Sequence, residues 1–205
     1  TGEEYAHVFY LAASGGGATG EHDGLPHMFG ACIMGNMGYE SIELVELARP
    51  LYIWDVSAIP DSGGAGKYRG AVGVRQRIQP RDHTMNILYG GSGHTCPAFG
   101  LGEASSGAVA THWVEDSKSG DTLVTLKNSG TTDIHASHIW VADTGGGGGH
   151  GDPKMRRSDA VLNDVIDGFV SVDTARNHYG VFVISDSGGY RIDEVRTRSL
   201  RARTT

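Results

Sequence analysis

A run of five glycines is followed closely by two residues that could take part in chemistry. Residues 145–149 are all glycine, and His150 and Asp152 come shortly after them. Consecutive backbone N–H groups can form a concave nest for an anion such as phosphate. The run lacks the lysine and hydroxyl pair of a P-loop, so the favoured alternative is a strand-to-helix connection where only glycine lets backbones approach closely. The candidate substrate or phosphate contacts in this segment are Gly147, Gly148, His150 and Asp152.

A second candidate segment lies earlier in the chain. Asp61 opens a glycine-rich turn that is followed by Lys67 and Arg69. The two basic side chains could bind a carboxylate or phosphoryl group. The favoured alternative is a hairpin or bulge in which Asp61 caps the turn amides. The candidate contacts in this segment are Asp61, Ser62, Gly63, Gly64 and Arg69.

The chain contains ten histidines, which raises the question of a metal site. The two tightest groups are His22, Asp23 and His27, and Asp133, His135 and His138. Neither group has the ligand spacing of a structural zinc site. We therefore predict no metal ligands and assign no catalytic residue in this chain.

The elements that would position these residues are mainly strands. The pattern predicts a mainly β (α+β) fold, with a glycine-rich β region over residues 1–152. A helix–helix–strand unit over 153–190 and a basic tail over 191–205 follow it. The predicted strands are 5–13, 72–78, 84–89, 108–114, 121–127 and 134–142, and residues 41–59 form either two strands or a helix and a strand. Residues 90–107 are predicted to be a long loop.

The C-terminal unit has clear helix signals. Apolar residues at helical spacing predict a helix over 158–167, with Ser158 or Asp159 near its N-cap and Gly168 after its end. The elements predicted after it are a helix over 171–178, capped by Ser171, and a strand over 179–184.

Composition excludes several classes of protein. The net charge of −7 and the pI of about 5.7 argue against nucleic acid or an anionic membrane as a partner. No apolar run has the length of a membrane span. Two cysteines, Cys32 and Cys96, suggest reduced thiols in a cytoplasmic protein. The 32 glycines are interspersed with aliphatic and charged residues, which predicts tight turns rather than disorder.

Three sequence blocks resemble one known family. The first reads Gly-Gly-Gly-Gly-Gly-His-Gly-Asp-Pro over 145–153, followed by Asp164, Asp167-Gly168, Ser171, Ala175 and Tyr179-Gly180-Val181. The second reads Asp-Ser-Gly-Gly-Ala-Gly-Lys-Tyr-Arg-Gly over 61–70, with Gly73. A weaker third block comprises Gly15-Gly-Gly-Ala18, Asp23-Gly24, Asn36, Glu43, Glu46 and Pro50-Leu51. Their order and combination resemble the C-terminal part of the hydantoinase B / 5-oxoprolinase / acetone (acetophenone) carboxylase large-subunit family.

This resemblance implies a subunit, or a C-terminal fragment, of an ATP-dependent heteromeric hydrolase or carboxylase in the cytoplasm. The substrate would be a cyclic amide (a lactam or hydantoin) or a ketone, activated as a phosphorylated intermediate. A hydantoinase A-type partner would bind ATP and Mg²⁺. The family's metal or polar site lies near an Asn-Asp-Pro stretch in its N-terminal half, and this chain has only His150–Pro153 in its place. A partner chain carrying that half, with any divalent transition metal, is therefore expected to supply the catalytic ligands.

Two other interpretations remain open. The chain could be a non-catalytic assembly or scaffold subunit of such a complex. Alternatively, Thr1 could be an N-terminal nucleophile exposed by self-processing, with its own amine as the base.

Overall fold

The computed structural model describes residues 4–9, 13–26 and 40–202. The hypotheses about Thr1, His27 and Cys32 lie outside these ranges. The helices are α1 (Ile42–Ala48), α2 (Ser158–Ile166), α3 (Val172–Asn177) and α4 (Glu194–Ala202). The strands are β1 (Leu51–Ala58), β2 (Val74–Pro80), β3 (Met85–Gly90), β4 (Thr111–Asp116), β5 (Thr122–Thr125), β6 (Ser129–Ile134), β7 (His138–Asp143), β8 (Val183–Asp186) and β9 (Gly189–Ile192). Two 3₁₀ turns span Ser92–His94 and Pro153–Met155.

A five-stranded antiparallel sheet forms the first half of the fold, with the strand order β1-β2-β7-β4-β5. Strands β3 and β6 pair separately. One face of these strands and helix α1 enclose the first hydrophobic core. Its buried members are Val45, Leu51, Ile78, Met85, Ile87, Val114, Ile134, Trp140 and Ala142. The mainly β fold predicted from the sequence is therefore confirmed.

Helices α2 and α3 enclose a second core with the residues that lead into β8. Its buried members are Ala65, Val161, Val165, Val170, Ala175, Tyr179, Val181 and Val183. The Ser171 hydroxyl accepts a hydrogen bond from the Thr174 amide at 3.1 Å, so the predicted N-cap of α3 is confirmed. Gly168 follows α2 with a φ of +75°, as expected of a glycine that ends a helix. The N-cap position of α2 is Arg157, with Ser158 and Asp159 in the first turn.

Four glycine-rich segments link the two cores, and we call them the glycine bundle: residues 13–18, 62–73, 98–108 and 144–151. They lie side by side and exchange backbone hydrogen bonds outside the named strands. A Cβ added to Gly146, Gly147 or Gly148 would lie 1.8–1.9 Å from the carbonyl oxygens of Ser62, Gly16 and Phe99 respectively. Three successive residues of the 144–151 segment thus face three different neighbouring segments. The close-approach interpretation of the glycine run is confirmed.

Three sequence-based assignments need correction. Residues 5–9 form no strand; Phe9 packs on Trp140 with ring centres 6.1 Å apart, so an apolar side chain is partly buried without backbone pairing. The strand predicted over 134–142 corresponds to β7, which begins only at His138, after a turn; Ile134 ends a separate strand, β6, that was not predicted. The strand predicted over 179–184 starts only at Val183, where it pairs with β9.

Within the basic tail predicted over 191–205, residues 194–202 form helix α4. Helix α4 packs back on the C-terminal unit, where the Thr197 hydroxyl accepts a hydrogen bond from the Phe182 amide at 3.0 Å. The Arg201 guanidinium donates to the Arg156 carbonyl at 2.8 Å and to the Tyr179 carbonyl. These contacts fold Arg201 against the C-terminal unit, whereas the Arg191 and Arg196 side chains are mostly exposed.

Candidate functional site

Four charged residues from separate parts of the chain form a buried ion network: Asp23, Arg69, Arg156 and Asp164. Asp164 lies on α2 and accepts hydrogen bonds from the Nε atoms of Arg69 at 3.1 Å and Arg156 at 2.9 Å. These three side chains are only 6–9% exposed. The pairing offsets the cost of burying the charges.

Asp23 joins the network at its more exposed end. Arg156 donates from both terminal nitrogens to the two Asp23 carboxylate oxygens, each at 2.7 Å. The Arg69 amide adds a bond to Oδ1 at 2.7 Å. Burial by itself would raise the pKa of Asp23, but the hydrogen bonds and charges of Arg156 and Arg69 outweigh it and lower the pKa below its usual range. Asp23 is therefore ionised at neutral pH.

A pocket of about 340 Å³ lies beside Asp23 and Arg156. Its other lining residues are Glu21, His22, Lys67, Tyr68, Met155, Arg157 and Ala160. Lys67 is exposed, and its ammonium lies 5.2 Å from the centre of the Tyr68 ring. Arg157 is also exposed. The pocket can therefore present the Lys67 ammonium and the His22 imidazole to an anionic or polar group, beside Glu21 and an Arg157 that pairs with Asp159, with a rigid ion network behind them.

The lowered pKa of Asp23 predicts how stability depends on pH. A carboxyl group whose pKa is lower in the folded chain than in the unfolded chain stabilises the fold at pH values above its unfolded pKa of about 3.9. This stabilisation is lost as the pH falls toward the lower pKa of the folded chain. We expect Asp23→Asn to destabilise the chain most at pH 7, and the difference from the wild type to shrink below about pH 4. Urea unfolding at pH 7, 5 and 3 measures this difference. A difference that stayed constant over this range would contradict the ionic role of Asp23.

The residues predicted around Asp61 are held by internal contacts. Asp61 has a φ of +62°, and its carboxylate accepts a hydrogen bond from the Ser171 amide at 2.8 Å. The buried Ser62 hydroxyl donates to the Ile59 carbonyl at 2.6 Å and accepts from the Gly73 amide at 2.8 Å. A Cβ on Gly63 or Gly64 would lie 2.1 or 2.2 Å from the carbonyl oxygens of Gly70 and Ser105 respectively. The segment is therefore held by internal contacts, but the Asp61 carboxylate binds the distant Ser171 amide and not, as the favoured alternative predicts, the amides of its own turn.

The glycine run does not present a row of free amides. The amides of Gly146, Gly147, Gly149 and His150 donate to the carbonyls of Ala108, Ala71, Ser105 and Tyr68 respectively, at 2.9–3.1 Å. Gly148 is buried among these segments. Asp152 caps the 3₁₀ turn through the Lys154 amide at 2.9 Å. Among the nine predicted site residues, the structure places Arg69 in the ion network, and substrate contact by the others stays a prediction.

Sequence reasoning assigned no role to Asp23, Arg156 or Asp164. A signal was present for Asp164, because it lies between the core residues Val161 and Val165 on α2, and a buried carboxylate requires partners. Arg156 lies 8 residues before Asp164 and Arg69 lies 95 residues before it, and no local spacing identifies either arginine as its partner.

Two further findings concern the part of the chain that the structure describes. No group of three or more His, Cys, Asp or Glu side chains there could hold a metal ion. Among the described helices, none combines the length and apolar character needed to cross a bilayer.

Comparisons with known proteins agree on a single family. Residues 1–153 match the family model described as hydantoinase B/oxoprolinase. The chain is 35% identical to the caprolactamase subunit beta of Pseudomonas jessenii, over 95% of this chain and 33% of that protein. It is 33% identical to the acetone carboxylase alpha subunit of Xanthobacter autotrophicus, over 95% of this chain and 29% of that protein. It thus spans about a third of the length of these relatives.

A solved structure supports the same relationship. The crystal structure of the ATP-dependent caprolactamase from Pseudomonas jessenii superposes with a TM-score of 0.72 and 31% sequence identity, covering 94% of this chain and 33% of that chain. The family resemblance recognised in the sequence blocks is confirmed. The chain belongs to the hydantoinase B/oxoprolinase family.

Proposed function

We propose that this chain is part of an ATP-dependent heteromeric enzyme that acts on a cyclic amide or a ketone through a phosphorylated intermediate. The observation that carries this proposal is the match over nearly the whole chain to an ATP-dependent caprolactamase. The similarity to an acetone carboxylase subunit supports keeping the ketone alternative. Hydrolysis and carboxylation are therefore both retained as reaction types.

The chain's own part in this enzyme is to form one wall of the active-site cavity and to contact other subunits. The close-packed glycine bundle and the buried ion network provide a rigid support for such a wall. Lys67 would attract an anionic group of the activated substrate at the pocket. ATP and Mg²⁺ belong on a hydantoinase A-type partner, and the catalytic ligands, with any metal, on a chain carrying the N-terminal hydantoinase B half. No group of three or more His, Cys, Asp or Glu side chains among the described residues could hold that metal, and no reaction step is assigned here.

A non-catalytic assembly subunit is the second candidate. One observation favours it. Most of the predicted site residues make hydrogen bonds or close backbone contacts within the chain itself, which fits a structural role better than substrate binding.

Native purification, with identification of every co-purifying chain, is the first test. The purified complex is assayed for ATP turnover with lactams and hydantoins, and with ketones plus bicarbonate. Substrate-stimulated ATP turnover would support the enzyme proposal. Assembly of a complex in which none of these substrates stimulates ATP turnover would favour the assembly role, and hydrolysis by the isolated chain without ATP would overturn both.

Paired variants test the wall proposal inside that complex. Lys67→Ala is expected to lower the substrate-stimulated rate or raise KM at least threefold, because it removes a cation from the pocket. Lys118→Ala, in the exposed turn between β4 and β5, removes the same charge elsewhere and is expected to have no effect. Equal rates for the two variants would remove Lys67 and its pocket from the proposal.

A further inference from the structure

A cluster of polar side chains lies on the core-facing side of the five-stranded sheet, apart from the pocket described above. Gln76 on β2 and His112 on β4 both pair in register with Ala142 of β7, so they flank it on the same face. The His112 ring lies 5.6 Å from the ring of Trp140, which is two residues before Ala142 on β7. His94, from the 3₁₀ turn, places its ring centre 4.5 Å from that of His112.

Several polar atoms of this cluster are buried without a hydrogen-bond partner in the described structure. They are both ring nitrogens of His94, Nδ1 of His112, Oε1 of Gln76 and Nε1 of Trp140. Gln76 is 7% exposed and Trp140 5% exposed. Burying polar atoms unpaired costs free energy, and native proteins rarely leave so many together. A ligand that these atoms can bind would remove that cost.

The types of atom indicate which ligand fits. Each imidazole can offer the lone pair of an unprotonated ring nitrogen, and the Gln76 carboxamide can offer its oxygen. None of the four side chains is a lysine or an arginine, so the cluster has no permanent cation to attract an anion. Imidazole nitrogens and an amide oxygen are, in contrast, ligands for zinc, cobalt and nickel. Two imidazoles on one such ion have ring centres roughly 5 Å apart, close to the 4.5 Å observed here.

We propose that His94, His112 and Gln76 bind one divalent transition-metal ion at this face of the sheet. The Trp140 indole can only donate a hydrogen bond, and it would donate to a water molecule that completes the metal's coordination. The site contains only two histidines, and its third ligand is a carboxamide. It is therefore compatible with the finding that no three His, Cys, Asp or Glu side chains of the described residues form a metal site. It does not depend on the proposed enzymatic function.

Titration of the chelator-treated 205-residue chain with Zn²⁺, followed by calorimetry and elemental analysis, tests the proposal. We expect one ion per chain with micromolar affinity or tighter, and a Co²⁺-substituted chain with ligand-field absorption bands. His94→Ala and His112→Ala are expected to weaken binding at least tenfold. His94 is on a turn, so its variant is expected to retain the wild-type melting temperature without metal.

A second histidine pair, in which His135 is exposed and His138 is half-buried, gives a matched control. His135 and His138 have ring centres 5.4 Å apart, and the double variant His135→Ala/His138→Ala is expected to leave binding unchanged. Gln76→Leu is expected to weaken binding and to raise the melting temperature of the metal-free chain, since it removes an unpaired buried oxygen. Absence of Zn²⁺ binding at 100 µM, or equal affinity in His94→Ala and the wild type, would overturn the proposal.

Discussion

Replacement of Gly147 by alanine is expected to prevent the chain from folding. The new Cβ would lie 1.9 Å from the Gly16 carbonyl oxygen and 2.3 Å from its carbonyl carbon. These are backbone atoms, so no side chain can rotate to make room. The 13–18 segment would have to move away, and the hydrogen bond from the Ala71 amide to the Gly16 carbonyl would be lost. We expect a cost above about 5 kcal/mol, comparable to the whole stability of many domains.

Gly17→Ala provides the matched control within the glycine bundle. Its added Cβ would meet its nearest neighbour, the Gly148 carbonyl oxygen, at 3.8 Å, an ordinary contact. Soluble yield, circular dichroism and thermal unfolding of the two variants measure the contrast. A Gly147→Ala chain that melted within a few degrees of the Gly17→Ala chain would show that the bundle is much looser than described.

Arg156→Met is expected to cause the second large loss, of about 3–5 kcal/mol of unfolding free energy. Methionine retains much of the side-chain volume but removes the charge that pairs with both Asp23 and Asp164. Asp164 would then keep only Arg69 as an ionic partner within the described residues, although it is buried. The bond from Arg156 to the Lys67 carbonyl would also be lost, which should loosen the pocket.

The adjacent residue is the control for charge removal. Arg157 is 82% exposed on its side chain and pairs only with Asp159 among the described residues, so Arg157→Met is expected to leave the unfolding free energy nearly unchanged. Urea unfolding at pH 7 gives both values. Similar losses for the two variants would mean that burial adds nothing to the role of Arg156.

Local signals predicted much of the fold correctly. Apolar spacing, the Ser171 cap and Gly168 are all contained within a few residues, and they placed α2 and α3 closely. Strand β6 was missed because Ser129–Ile134 contains a single apolar residue, Ile134, and its partner β3 supplies most of the apolar contact. Residues 5–9 were assigned wrongly because an apolar pattern indicates burial and does not specify backbone pairing.

The candidate site was harder to predict for a physical reason. Arg69 meets Asp164 across 95 residues of sequence, and Arg156 meets Asp23 across 133. No periodicity or spacing encodes such pairings. The glycine run was easier to interpret, since five residues without side chains have few structural uses other than close backbone contact or an anion nest.

The three-way contacts of Gly146, Gly147 and Gly148 also constrain how the length of this chain can change during evolution. Each residue has its own neighbouring segment, so inserting or deleting a single residue here would turn every later glycine toward the wrong neighbour. The length of each segment in the bundle should therefore be the same across relatives. Even an inserted glycine, which has no side chain to clash, would shift the contacts of the residues after it. The alignment with the acetone carboxylase subunit extends over 232 positions for a chain of 205 residues. We expect its gaps to fall in exposed connections such as the β4–β5 turn.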